Sequence, residues 1–558
     1  MRKLLRFIRP YKKESIIAPL FKLFEATLEL FVPLVIASLI DVGIANKDIS
    51  YVWKMGGILL ALAAIGLTAS LTAQYFAAKA AVGFAADIKS ALFRHIEKLT
   101  YADITGIGTD KLITRMTSDV NQVQSGVNLV LRLFLRSPFV VVGAMVMAFT
   151  IDFRESLIFL IVILCLSLVV FGIMMVGIKN YKAVQESLDD ILRKTRETLL
   201  GVRVIKAFNK EQEEIESFVK KNERYYNFQV KAGRMASLMN PMTFAIVNGG
   251  LVVLLWTGAV KVDTGVLTQG QVVALVNYMA SILVELVKLA NLILSITKAI
   301  ASGNRIQDVF DYELINKDAD KNNQSEMLVS AKNMTFRYQD ASEDSLRDIS
   351  FEIMRGKKLG IVGGTGAGKT TIVNLLAGFY DNPGIEISGK VSLVPQKAVL
   401  FYGTVRSNMK LARENVTDEE IWKALETADA AEFVRAADGL DTLVERGGNN
   451  FSGGQKQRLS IARALVAKSD ILVLDDSFSA LDYLTEARIK NNLFNQYKDK
   501  SFVIISQRTG SLIDVDNIIV LEDGQMVGSD SHEELLKNCD IYREIFVSQY
   551  GEEALNYE

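Results

Sequence analysis

The sequence predicts two fold classes in one chain: an all-α bundle of six membrane-spanning helices, then an α/β domain built on a parallel sheet. Three observations predict it. Half of the 558 residues are hydrophobic, yet 23% are charged. That mixture is too apolar for one water-soluble globule and too charged for a protein lying wholly in a bilayer. The apolar mass lies before about residue 300, in runs near the ~20 residues that cross a bilayer core. From about residue 327, short β-branched runs (KLGIVG, ILVLDD, FVIIS, NIIVLEDG) alternate with helical segments, the pattern of a parallel sheet with helices on its faces. The expected division is a membrane domain at 1–306, a polar linker at 307–326 and the α/β domain at 327–558.

Residues 1–13 (MRKLLRFIRPYKK) are short, basic and amphipathic, which suits a helix on a membrane surface. Spans are expected at about 16–40, 55–80, 134–151, 156–177, 236–260 and 271–297. Arg2, Lys3, Arg6, Arg9, Lys12 and Lys13 should keep the N-terminus on the inner side of a cell membrane. With six spans, both termini are then cytoplasmic. The outer connections (41–54, 152–155, 261–270) are short and poorly charged. The inner ones (about 81–133 and 178–235) are long, charged and low in helix breakers, as expected of helices that run on into the cytosol. Ionisable residues inside spans are costly and face a cavity or a partner. Lys22, Glu25 and Glu29 share one helical face, and Glu285 and Lys288 are three residues apart. Glu285 is read either as a contact for cationic cargo or as half of an internal Glu–Lys pair that sets helix packing.

A net charge of -1 gives no argument for nucleic acid as a partner. Cys165 and Cys539, the only cysteines, exclude a disulfide framework and a cysteine-based zinc cluster. His95 and His532 are the only histidines, so chemistry that needs a histidine base must use one of them.

The α/β half carries a phosphate-binding constellation. GGTGAGKT (Gly363, Gly364, Thr365, Gly366, Ala367, Gly368, Lys369, Thr370) lies between a strand and a helix that opens with Thr371. Such glycines turn backbone N–H groups toward phosphate oxygens, and the helix N-terminus adds positive dipole. Lys369 neutralises the outer phosphates and the Thr370 hydroxyl ligates Mg²⁺. Asp475, ending the apolar strand ILVLDD, is placed for the same Mg²⁺. Gln396 of VPQ reaches metal or water. FSGGQKQRLSIARAL starts a helix with Ser452, Gly453, Gly454 and Gln455, a second anion site.

With these motifs in this order, plus the SALD turn at 479–482, the sequence resembles an ABC transporter of the exporter type. LIDVGI (39–44), LITRMTSDVNQVQ (112–124) and GVRVIKAFN (201–209) extend the resemblance over essentially the whole chain. It implies ATP and Mg²⁺ as cofactors, with adenine stacked on Tyr338. It also implies a two-subunit engine, in which the signature of one chain closes on ATP held by the other. A single chain is then half a transporter. The turns near 105–110 and 207–212 would dock on nucleotide domains, the second on the partner's, and ERGG at 445–448 would sense that contact.

The sequence departs from this family pattern at three places. Asp476 stands where the family has Glu as general base, and a carboxylate drawn back by ~1 Å can cost about 10²-fold in rate. Gln507 stands where the family has His, and a neutral amide cannot shuttle a proton. The segment 380–396 (YDNPGIEISGKVSLVPQ) is about fifteen residues shorter than in bacterial half-exporters, a count that rests on the resemblance and not on any general rule. Binding residues are kept while hydrolysis residues are altered. The pattern resembles the degenerate-site subunit of a heterodimeric multidrug exporter, with a second half-exporter as partner and small hydrophobic or amphipathic molecules as cargo. The alternatives are a slow homodimer and an ATP-gated membrane regulator that does not pump.

Overall fold

The computed structural model describes residues 2–314, 325–339 and 341–553. Two compact units emerge: Met1–Leu99 with Ile107–Leu314, and Thr100–Gly106 with Ile315–Glu558. Half of the expected linker, 315–324, lies outside the described residues. The preceding helix continues to Phe310, and the first strand begins at Met327.

Among the described residues, the first unit has six helices long and apolar enough to cross a membrane: Lys3–Ile44, Ile49–Ile96, Thr109–Ile151, Phe153–Leu200, Glu211–Asp263 and Gln269–Phe310. Each expected span lies within one of them, and the charged inner connections are their helical continuations. Arg2–Tyr11 winds as a 3-10 helix with Leu4 buried. Small residues set the contact between the first two long helices. Ala69, Ala73, Ala77 and Ala81 recur every fourth residue, each buried, and Ala18 and Ala26 are buried on the first helix. Without a hydrophobic driving force between helices in lipid, such residues allow close backbone approach. Leu60, Leu67, Leu168 and Trp256 are instead exposed on helix surfaces, which suits contact with acyl chains.

Several charged groups inside this unit are paired. Arg136 donates to Glu285 at 2.5 Å and to Glu29 at 2.5 Å. The other Glu285 oxygen accepts from Ser137 at 2.7 Å, and Lys288 adds a bond at 2.9 Å. Glu285 therefore sits in the internal pair that the sequence allows, with Arg136 as an added partner 149 residues away. Lys22 pairs with Glu25 at 2.5 Å and donates to Ser70 at 3.0 Å. Asp119, in the LITRMTSDVNQVQ segment, is buried and held by Arg115 and Arg305. Asp41 of LIDVGI accepts from Thr268 and from the Gly270 N–H, satisfying the start of the sixth helix, where free N–H groups need acceptors.

The second unit has eleven strands among the described residues. They are β1 (Met327–Phe336), β2 (Leu346–Met354), β3 (Lys358–Gly363), β4 (Ile385–Ile387), β5 (Val391–Val394), β6 (Gly403–Thr404), β7 (Leu443–Val444), β8 (Ile471–Asp475), β9 (Ser501–Ile505), β10 (Asn517–Glu522) and β11 (Gln525–Asp530). The main sheet runs β11-β10-β3-β9-β8-β5, parallel throughout except for the β10–β11 edge. Burial on both faces accounts for the continuous apolar runs of β3, β8 and β9. A smaller antiparallel sheet, β2-β1-β4, has only three residues in its last strand, within the shortened 380–396 segment. The short helix Tyr101–Ile107 begins in this unit, and the Tyr101 ring stacks on Phe379 at 4.6 Å between centroids. Phe208, in the 207–212 turn, is 72% exposed.

Removing one member of a buried ion network leaves its partners uncompensated, at a cost of about 3–5 kcal/mol. Arg136→Met is expected to lower the denaturation free energy of the detergent-solubilised protein by about that amount. Adding Glu285→Gln should recover part of the loss. A change under about 1 kcal/mol for Arg136→Met would argue that the network carries no stability.

Candidate nucleotide-binding site

The site grows from the end of β3. The parallel sheet carries its loops out at the carboxyl ends of its strands, where α/β proteins bind ligands. At Gly363 a Cβ would lie 2.3 Å from the Leu521 carbonyl oxygen, so only glycine lets β3 approach β10 there. Gly368 has φ +98° and caps the following helix, Lys369–Leu376. That left-handed turn directs the chain from loop to helix, and glycine adopts it without Cβ strain.

A cavity of about 720 Å³ opens above this turn. Thr365, Gly366, Ala367, Gly368, Lys369, Thr370 and Thr371 line one side, and Gln396, Asp475, Asp476 and Gln507 another. Residues from loops more than a hundred positions apart therefore meet as their motifs imply. Lys369 Nζ donates to the carbonyls of Gly363 and Gly364, at 2.7 and 2.6 Å. Burial pushes its pKa down, against the pull of Asp476 and Asp475.

Asp475 ends β8, and burial raises its carboxyl above the usual range; the Asp476 charge adds to this and Lys369 opposes it. Asp476 is the first residue past the strand, with φ +44°, a left-handed conformation that Asp tolerates better than most residues. Its N–H donates to the Ile505 carbonyl at 2.9 Å, and its carboxylate accepts from Gln396 Nε2 at 3.2 Å. Two adjacent half-buried carboxylates beside the Thr370 hydroxyl and the Gln396 carbonyl form an oxygen donor set suited to Mg²⁺. The ion would supply charge neutralisation between phosphate and protein; Asp475 and Thr370 would hold it, with Gln396 beside them.

Three sets of expected site residues lie outside this lining: Gly363 and Gly364, whose carbonyls accept from Lys369, then Tyr338, then Ser452–Gln455. Tyr338 packs edge-on against Phe336 and Tyr380, and its hydroxyl bonds to Thr371 and Asn374 at 3.3 Å. Ser452 and Gln455 form a reciprocal capping box on the helix Gly453–Val466, with Gly453 and Gly454 in its first turn. None of these four residues lines the cavity beside the phosphate loop.

Gln549, which the sequence did not single out, clamps the Gln507 segment. Its amide nitrogen donates to the Gln507 carbonyl at 2.7 Å, and its oxygen accepts from the Thr509 N–H and hydroxyl. Neither histidine is nearby in chemistry: His532 bonds to Tyr542 at 2.6 Å and His95 lies against Phe310.

A carboxyl with a raised pKa holds a proton that the unfolded chain has already released, so folding stability falls as pH rises through the interval between the two values. Asp475→Asn removes this penalty. In thermal melting without nucleotide, the variant is expected to melt above the wild type at about pH 7 and to converge with it as the pH falls through the ordinary carboxylate range. It should also lose Mg²⁺-dependent ATP binding. A variant midpoint below the wild type at neutral pH would contradict the burial reading.

Comparison with known proteins agrees with this architecture. The family model for the ABC transporter transmembrane region matches residues 15–287, and the ABC transporter model matches 346–479. The uncharacterized ABC transporter ATP-binding protein YfiB of Bacillus subtilis is 32% identical, over 99% of each chain. A putative export ATP-binding/permease protein of Rickettsia felis is 28% identical, over 97% of this chain and 98% of its own. The structure of a bacterial Atm1-family ABC exporter with ATP bound shares the fold, with a TM-score of 0.80 at 22% identity, covering 96% of this chain and 98% of that one. An ABC domain binds ATP, normally with Mg²⁺, and couples its hydrolysis to transport. With six long apolar helices, a phosphate loop facing two carboxylates and this match along its whole length, the chain belongs to the ABC transporters as a multi-pass half-transporter of the exporter type.

Proposed function

We propose that this chain is the degenerate-site subunit of a heterodimeric exporter. ATP bound at its own phosphate loop is held and cleaved slowly. Its signature residues Ser452 and Gly454 complete the faster site on a second half-exporter. Closure of the two nucleotide domains then drives the spans between inward- and outward-facing cavities and moves small hydrophobic or amphipathic cargo out of the cell. Both termini lie in the cytoplasm.

One observation carries the reading. Asp476 and Gln507 line the same cavity as Lys369, Thr370 and Asp475, and no histidine lines it among the described residues. A general base must reach the attacking water within hydrogen-bond distance and accept its proton. The Asp476 carboxylate accepts from Gln396 and lacks one methylene of reach. The Gln507 amide can hydrogen-bond a phosphate oxygen but cannot become cationic. Binding groups are therefore retained and proton-handling groups replaced. Within the binding set, Thr365–Thr371 cradle phosphate, Thr370, Gln396 and Asp475 serve Mg²⁺, and Tyr338 serves the base. The membrane unit supports the vectorial part: several of its charges pair internally, which leaves apolar surface for apolar cargo.

The test is ATP turnover by the assembled pair in lipid. Asp476→Ala in this chain is expected to leave most of the activity. Ser452→Ala should lower it on the order of 10²-fold, as when a transition-state donor is lost. A collapse with Asp476→Ala and a small effect of Ser452→Ala would instead assign the working site to this chain.

A further inference from the structure

A second cavity, of about 940 Å³, lies in the nucleotide-binding unit beyond the phosphate site. Its walls are the helix Tyr483–Gln496, the turn at 510–514 and the C-terminal helix Asp540–Tyr550. Phe494, Phe546 and Tyr550 give it an aromatic lining, and Asn491 and Asn495 add amides. The Tyr550 hydroxyl rests on Gly510, where a Cβ would lie 2.2 Å away.

Glu486 lines this cavity and is only 5% exposed. Its Oε2 has no hydrogen-bond partner among the described residues. A buried carboxylate oxygen without a partner is costly and calls for explanation. The cations nearby are committed elsewhere. Lys490, one turn along the same helix, pairs with Asp514 at 2.9 Å. The Arg508 guanidinium lies over the Tyr483 ring at 5.3 Å. Arg488 reaches toward Asp429.

We propose that this cavity binds a small organic cation with a flat apolar body, such as an amidine, a guanidine or a protonated heterocycle. Glu486 is its counter-charge, and the aromatic rings receive its faces. A planar cationic fork gives a carboxylate strong charge-assisted hydrogen bonds, and aromatic rings attract a cation lying over their faces. A mainly apolar concavity with a few convergent polar groups is the ordinary form of a small-molecule site. The occupant would touch the turn at 510–514, which follows Gln507, and the helix that carries Gln549.

The test uses 4-fluorobenzamidinium with the full-length protein in detergent, read by fluorine NMR line broadening. Binding is expected to weaken about tenfold or more in Glu486→Gln, since a charge-assisted bond is lost. Asn495→Trp, which fills the cavity and leaves the carboxylate in place, should weaken it as well. Neutral 4-fluorobenzamide should bind weakly to all three proteins. ATP binding should be unchanged in both variants, which shows that they are folded. No binding to the wild type, equal affinity of wild type and both variants, or equal affinity for the neutral amide would each overturn the proposal.

Discussion

Arg136 lies between two carboxylates, Glu29 and Glu285, that come from the first and sixth long helices. A guanidinium in apolar surroundings is tolerable only when its charge is answered at close range. The helices that carry Glu29, Arg136 and Glu285 are therefore fixed in register, because a shift of one residue would separate the groups. Apolar contact between helices is forgiving, since one aliphatic side chain slides past another at little cost. Charge is not. The small-residue seam along Ala69, Ala73, Ala77 and Ala81 brings the first two helices close, and the ion pairs decide which rotation is kept.

The nucleotide-binding unit meets the same requirement with opposite bias. Asp475 and Asp476 concentrate negative charge at the end of β8, and Lys369 answers it only in part. The apo site is therefore electrostatically unfavourable, which suits a site meant to receive a divalent cation with its nucleotide. Stability given up at the end of one strand becomes affinity for ligand. The short β8 is paired on both sides, by β9 and β5, so the strand itself is not endangered by the charge at its tip.

Much of this was legible in the residues. The six apolar runs, the phosphate loop and the acid-tipped strand are local patterns, and each lies in the element its pattern implies. Span boundaries were less legible, because the helices run on beyond the apolar core in charged residues that periodicity alone assigns to no compartment. Arg136 was missed although it falls at the start of the expected 134–151 span, because its partner lies 149 residues away. Gln549 carried no signal at all. A glutamine near a chain end has no pattern, and its three hydrogen bonds exist only once the last helix has packed. Tyr338 shows the limit of motif reading, since its position in the sequence did not reveal that its ring would pack against Phe336 and Tyr380.

The Gln549 clamp has a practical consequence for handling the protein. It ties the last turn of the helix Asp540–Tyr550 to Gln507, which lines the nucleotide cavity, although nothing in that turn lines the cavity itself. A truncation that trims the tail into that turn, or an affinity tag fused so that it unwinds the last helix, would free the backbone at Gln507 and Thr509. Turnover measured on such a preparation would describe an altered enzyme. Appendages are better placed at the N-terminal end.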